Sequence, residues 1–214
     1  MKLIEQTVMD FIHLVDSKEA VPGGGSVAAL SSTLGASLGG MVAKLTVTKK
    51  KFLALDEAIQ KEFHKKADTL EKVKVDLSSL VDKDTEAYQL IMDAYKLPKV
   101  SESEIKLRNE KILEGTKVAI KIPFQVSMLS IEALELIEYI VNYGNQSAAS
   151  DLGVAALMLT AGLEGAILNV KTNLPMLDLD VTKQFYTNNV SDMLVKGQKL
   201  KSEILKMVDQ RIKS

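Results

Sequence analysis

Apolar residues recur at three- and four-residue steps along almost the whole chain, the spacing of helices with one buried face. Leu3, Ile4, Val8, Phe11, Ile12 and Val15 outline a first amphipathic helix. Pro22 and three glycines follow, and a second helix is predicted from about Ser26 to about Phe52. Its composition is unusual, with no charge from Ser26 to Ala43 and mostly Ala, Ser, Thr, Gly and Leu. From Leu55 to Tyr95 apolar positions are laced through heavy charge, as one long helix or two, and Pro98 stops the pattern. Ser101 and Glu104 have the spacing of a capping box and open the next helix. Pro123 kinks that helix or divides it from the apolar segment ending at Tyr143, where Gly144 and Asn145 supply C-cap chemistry. Ser150 or Asp151 caps a further helix to about Thr172, Pro175 lies in a loop, and Val181 to about Ile212 makes a last long helix. No segment alternates with the period of a strand. The expectation is an all-α fold in a single domain, 1–214, with long antiparallel helices bundled around the buried small-residue helix.

The small residues carry a packing statement. Ser31, Gly35 and Gly39 recur every four residues with Ala36 and Gly40 beside them, and Gly162 and Ala166 repeat the spacing later. Such stripes let helix axes approach closely. They predict a tight bundle centre together with a subunit interface, and hence a homodimer.

Composition removes several function classes. A formal net charge of -1 leaves no electrostatic footprint for nucleic acid, and 5% aromatic residues is poor material for stacking bases. With no cysteines there is neither a disulfide framework nor thiolate chemistry. The two histidines, His13 and His64, lack metal-ligand spacing, so no metal site is expected. The acids in MKLIEQTVMDFIHLVDS argue against a signal peptide. The uncharged stretch 26–43 approaches the length of a bilayer span, but its Ser, Thr and Gly content favours burial inside protein. The expected location is the cytoplasm, with no membrane partner.

Candidate chemistry starts at Asp84. The stripe Leu70, Val73, Leu77, Leu80, Val81 runs on through Asp84 to Tyr88, Ile91 and Tyr95, so a carboxyl sits on a core-facing line. Burial there raises its pKa toward neutrality, as a general acid/base needs; the structural alternative is an acid that caps or pairs inside the bundle. Asp82 falls roughly opposite on the helix, in a solvated or supporting position. Gly23, Gly24 and Gly25 permit positive φ and, with Ser26 at a helix N-terminus, form a cradle for a carboxylate or polarised carbonyl, or simply a close-packed helix entry. The loop lacks the Gly-Lys-Ser/Thr of nucleotide-binding loops. Asp151 reads as a cap or first-turn acid. Glu164, in an apolar helix, reads as a second buried carboxylate or a lysine's partner. Lys49, Lys50 and Lys51 read as a solvated run or as attraction for a polyanionic tail.

The blocks PGGGSVAAL, LGASLGGMVAKLT, LVDKDTEAY with LPK downstream, GNQSAASD and GAILNVKTNL occur in this order. Together they resemble the formiminotransferase-cyclodeaminase C-terminal family, which includes free-standing methenyltetrahydrofolate cyclohydrolases. The resemblance covers practically the whole chain. It implies an all-helical dimer that binds a tetrahydrofolate one-carbon derivative, with or without a polyglutamate tail. The implied reactions are cyclisation of 5-formiminotetrahydrofolate to 5,10-methenyltetrahydrofolate with loss of ammonia, or hydrolysis of the methenyl form to 10-formyltetrahydrofolate. Neither calls for a metal or a cofactor beyond the folate substrate.

The acid of the family's LVDxD block maps onto Asp84, the residue that periodicity singles out independently. By the same resemblance, Gly23, Gly24, Gly25 and Ser26 cradle a polar group of folate, with Asn145 and Asp151 lining the same pocket; Asp82 is counted with them among the expected substrate-binding residues. Lys44 or Lys49 would meet a glutamate tail. Ala149 stands where some bifunctional members carry a basic residue, which puts charge pairing with ligand there in doubt. The reading of another class is a non-catalytic helical dimer or scaffold that retains the fold.

Overall fold

The computed structural model describes residues 2–177 and 180–213, and within them all regular structure is helical. The helices are α1 (Val8–Val15), α2 (Gly24–Thr46), α3 (Lys50–Leu53), α4 (Glu57–Tyr95), α5 (Glu102–Tyr143), α6 (Ala149–Asn173) and α7 (Asp180–Lys213). Short 3-10 turns lie at Leu3–Glu5, Gln146–Ala148 and Leu174–Met176, the last of them containing Pro175. Buried side chains from α2, α4, α5, α6 and α7 join in one hydrophobic cluster.

The charged segment after Leu55 forms one helix. Asp56 caps α4 by accepting the Ala58 N–H at 2.8 Å, and Leu70, Val73, Leu77, Leu80 and Val81 are buried along its inner side. Ser101 and Glu104 form the expected reciprocal capping box at the start of α5. Pro123 divides nothing, because α5 continues through it. A proline has no N–H for the carbonyl four residues earlier, here that of Ala119. The Asn173 side-chain amide reaches over from α6 and donates to that carbonyl at 3.1 Å, so the vacancy in the helix ladder is filled from a neighbour.

Several boundaries differ from the sequence reading. Helix α2 begins at Gly24, with Gly23 as its N-cap, and ends at Thr46, leaving Lys50–Leu53 as a separate turn of helix. Thr46 fixes that end by donating its hydroxyl to the Val42 carbonyl at 2.6 Å and accepting the Asn145 N–H at 2.8 Å. Gly144 ends α5 in an extended conformation rather than a left-handed one, and Arg211 donates to the carbonyls of Asn142 and Gly144. Neither Ser150 nor Asp151 caps α6. Ala148 holds that position, and Asn145 caps the preceding turn by accepting the Ser147 N–H.

Close helix approach is what the glycines serve. A Cβ on Gly162 would lie 2.6 Å from the Ala28 carbonyl oxygen, and one on Gly35 2.8 Å from that of Ala155. Hydroxyls of α2 pair across its contacts, the buried Ser32 with Ser130 of α5 at 2.7 Å and the half-buried Ser31 with the Met158 carbonyl of α6 at 2.8 Å. Helix α2 is nevertheless buried on one side only: Leu34 is 47% exposed, and Val27, Met41 and Leu45 are also exposed. By length and composition, Gly24–Thr46 and Gln146–Met176 could each cross a membrane, and just over half of the most apolar 18-residue stretch of each is buried against protein.

Candidate active site

Asp84 projects from α4 onto the first turn of α2. Its Oδ2 lies 3.2 Å from the Ser26 hydroxyl, and the Ser26 backbone N–H also donates to the carboxyl. The Ser26 hydroxyl is nearer to the Val81 carbonyl, at 2.9 Å, and 3.3 Å from Thr85 Oγ1. A hydroxyl has one proton to give. While Ser26 gives it to Val81, its oxygen can accept from a protonated Asp84, so the surroundings accommodate both charge states. The carboxyl is half-buried, and that desolvation holds its pKa above the ordinary value, against the opposing pull of the two Ser26 hydrogen bonds. Glu138 is also raised, chiefly by burial and secondarily by Glu203, away from the α2 entry.

The glycine loop works differently from expectation. No glycine in the described residues has positive φ; Gly23 is extended, and Gly24 and Gly25 are the first helical residues. What position 25 requires is room, since a Cβ there would lie 2.0 Å from Asp84 Oδ1. Absence of a side chain therefore lets the carboxyl reach the unpaired N–H groups at the helix start, where the dipole also favours an anion. Gly24 is exposed at the mouth of this arrangement.

Asp82 supports its surroundings rather than lining the same space: its Oδ1 accepts the Leu3 N–H and ties the N-terminal segment to α4. Sequence reasoning gives Asn169 no role, yet its amide nitrogen lies 3.5 Å from where a Gly24 Cβ would stand. Its amide also donates to the Gly165 carbonyl, and Asn173 donates to the Asn169 carbonyl one turn later. The available signal is a pair of asparagines four residues apart at the end of an apolar helix.

Asn145 and Asp151 do not join Asp84 within one chain. Asn145 is bonded to Thr46 at the far end of α2, whose 23 residues span about 33 Å. Asp151 lies in the first turn of α6, which runs antiparallel to α2. At that end a cavity of about 820 Å³ is lined by Lys49, Lys50, Lys51, Asn145, Ser150 and Arg211, among others. Lys44 pairs with Glu71 at 3.5 Å, both exposed, and Glu164 accepts from the Gln198 amide rather than from a lysine. Among the described residues no group of acids and histidines is placed to hold a metal ion.

Fold and site together define a class: an all-α protein that presents a half-buried carboxyl, its pKa raised, to the N-terminus of a small-residue helix. The formiminotransferase-cyclodeaminase family model matches residues 7–192, and the chain belongs to that family. It is 33% identical over 207 residues to methenyltetrahydrofolate cyclohydrolase of Methylorubrum extorquens, a match covering 97% of this chain and 98% of that one. It is 31% identical over 212 residues to formimidoyltransferase-cyclodeaminase of Mus musculus, covering 98% of this chain but 38% of the longer mouse protein. Its fold matches the crystal structure of formiminotetrahydrofolate cyclodeaminase from Thermotoga maritima with a TM-score of 0.76, at 24% identity, over 98% of this chain and 96% of that one.

Proposed function

We propose that this chain is a folate one-carbon enzyme that closes or opens the ring carbon bridging N5 and N10 of tetrahydrofolate, with Asp84 as its general acid/base. The observation that carries the reading is the Asp84 carboxyl, half-buried and raised in pKa at the start of α2. Proton transfer is most effective when the group's pKa lies near the working pH. Family membership and the names of the relatives supply the substrate class.

In cyclodeamination, N10 attacks the formimino carbon on N5 and gives a tetrahedral carbon carrying both ring nitrogens and an amino group. Asp84 takes the N10 proton and passes one to the amino nitrogen. That carbon–nitrogen bond then breaks, ammonia leaves, and the methenyl bridge remains. In hydrolysis the carboxylate takes a proton from water as its oxygen adds to the methenyl carbon. Returning the proton to N5 breaks the N5–carbon bond while the new hydroxyl releases its own proton to solvent, which leaves the formyl group on N10. Both reactions pass through a tetrahedral carbon between N5 and N10, bearing an amino group in the first and a hydroxyl in the second, and both use the same proton carrier.

In this reading Gly23, Gly24, Gly25 and Ser26 hold a polar group of folate, and Asn169 stands beside them. The enzyme uses no cofactor beyond its folate substrate, works as a cytoplasmic homodimer, and meets a glutamate tail with lysines. The test follows methenyltetrahydrofolate absorbance with the formimino and methenyl compounds offered separately, against buffer and Asp84→Asn. Rising absorbance from the first marks a cyclodeaminase; decay of the second faster than in buffer marks a cyclohydrolase. No change from buffer in either cuvette would leave the non-catalytic scaffold in its place.

A further inference from the structure

The Gly23–Ser26 loop has a single polar side chain, and it faces inward. Ser26 is 0% exposed, whereas Gly24 is exposed and Asp84 half-buried. Three oxygens surround the Ser26 hydroxyl: the Val81 carbonyl at 2.9 Å, Asp84 Oδ2 at 3.2 Å and Thr85 Oγ1 at 3.3 Å. All three belong to one stretch of α4. The other carboxyl oxygen, Oδ1, lies nearest the space that a side chain on Gly25 would fill. A hydroxyl buried in this way does not reach a ligand at the mouth. What it reaches is the acid.

We propose that the Ser26 side chain positions Asp84 rather than touching folate. Its hydroxyl turns to Oδ2 when the carboxyl has given up its proton, and back to the Val81 carbonyl when the carboxyl has regained it. Oδ1 is left to exchange protons with the substrate, and the loop holds folate through its main chain. Rotation about the Ser26 Cβ–Oγ bond moves one hydrogen and no heavier atom. A hydrogen bond to an ionised oxygen is roughly twice as strong as one between neutral groups, so the charged carboxyl draws the hydroxyl away from the nearer carbonyl. Val81 loses little, because within α4 its carbonyl also accepts the Thr85 N–H. Thr85 can donate its own hydroxyl to Ser26, which keeps the buried oxygen paired in both states.

Among the described residues no charge rivals Ser26 at Asp84. Helix α2 carries no ionisable side chain before Lys44. On α4, Asp82 accepts the Leu3 N–H, Lys83 and Glu86 are exposed, and Tyr88 is half-buried one turn on. Glu5 of the N-terminal turn, Lys117 and Lys121 of α5 and Lys171 of α6 are all exposed. Burial and the two Ser26 hydrogen bonds set the pKa of the acid, with no contribution from these charges. The catalytic consequence rests on the folate reading; the hydrogen bonding does not.

Ser26→Ala is the test. In both folate reactions Asp84 works first as a base, so the rate climbs with pH as it ionises. Without the hydroxyl the charged form loses a bond, and the midpoint of that climb should move up by about 0.5–1 pH unit. The kcat is expected to fall about three- to tenfold with KM within about twofold of wild type, because the side chain does not meet the substrate. Thr85→Val leaves Ser26 and Asp84 in contact and should move the midpoint the same way by less. A carbon-13 titration of the Asp84 carboxyl, assigned by its loss in Asp84→Asn, reads the same shift without turnover, and melting curves show that each variant is folded. A raised KM with kcat and midpoint unchanged would overturn the proposal and make the Ser26 hydroxyl a folate contact. A carboxyl titration that ignores Ser26→Ala, or moves down, would overturn it as well. A wild-type protein inactive on both folate compounds would sink the functional reading, and the carboxyl titration would still decide what Ser26 does.

Discussion

The carboxyl of Asp84 occupies the space in which a side chain on Gly25 would begin. A Cβ at position 25 would lie 2.0 Å from Oδ1, 2.4 Å from Cγ and 2.5 Å from Oδ2. Two elements fifty-odd residues apart in sequence thus share one small volume, and the missing side chain on α2 is what admits the acid from α4.

Replacing Gly25 by alanine should therefore separate folding from activity. The atoms a methyl group would strike belong to the end of a rotatable side chain, so Asp84 can swing away at a stability cost of about 1–3 kcal/mol, typical of overpacking. The displaced carboxyl loses the N–H and hydroxyl of Ser26, and turnover is expected to fall at least about 100-fold, the lower range for losing a positioned acid/base. Circular dichroism melts set beside steady-state rates would check this; a cold-stable, fully active Gly25→Ala protein would contradict it.

Asp84 also makes a signed prediction for stability against pH. Its folded pKa is raised above the unfolded value of 3.8 by burial. Between those two values the folded chain keeps a proton that the unfolded chain has released, so rising pH erodes stability across that window and has no further effect above it. Asp84→Asn cannot ionise and escapes the loss. The variant should gain on the parent as pH climbs from about 3.8, and remain no less stable at neutral pH while losing activity. Urea titrations of both proteins at several pH values measure the difference, and a parent–variant gap that does not change with pH would refute the raised pKa.

Gly162 tests the contact between α6 and α2. A Cβ there would meet Ser32 Oγ at 2.0 Å, the Ala28 carbonyl oxygen at 2.6 Å and the Ser32 nitrogen at 2.9 Å, and two of these are backbone atoms that cannot turn aside. Gly162→Ala should cost about 3 kcal/mol or more, the upper range for overpacking. Gly40 is the contrast, since a methyl group there would have nothing within 4 Å, and Gly40→Ala should raise stability by about 0.5–1 kcal/mol through helix propensity. Thermal melts of the two variants are expected to move in opposite directions.

Much of the helical architecture is legible in the sequence because a helix writes its buried side into local spacing. Leu70, Val73, Leu77, Leu80 and Val81 line the core as their three- and four-residue steps require, and Ser101 with Glu104 makes the capping box that its motif announces. Pro123 reads locally as a kink or a break, yet the helix runs through it. The carbonyl it orphans is satisfied by Asn173, about fifty residues away, a rescue that no local window contains. The same limit hides Asn169, which gains meaning only when α6 folds back along α2.

Asp84 shows where the boundary falls. Sequence alone determined that the fold is all-α, that a carboxyl lies on a core-facing line of α4, and that the chain resembles a folate one-carbon family. Those properties follow from residue type and spacing along one helix, or from an ordered set of blocks. Only the tertiary structure decided that this carboxyl meets the Ser26 end of α2, that Gly25 provides space rather than positive φ, and that Asn145 stands at the opposite end of the molecule. Periodicity fixes the direction a side chain takes from its own helix axis; which atoms it meets depends on how helices remote in sequence pack together.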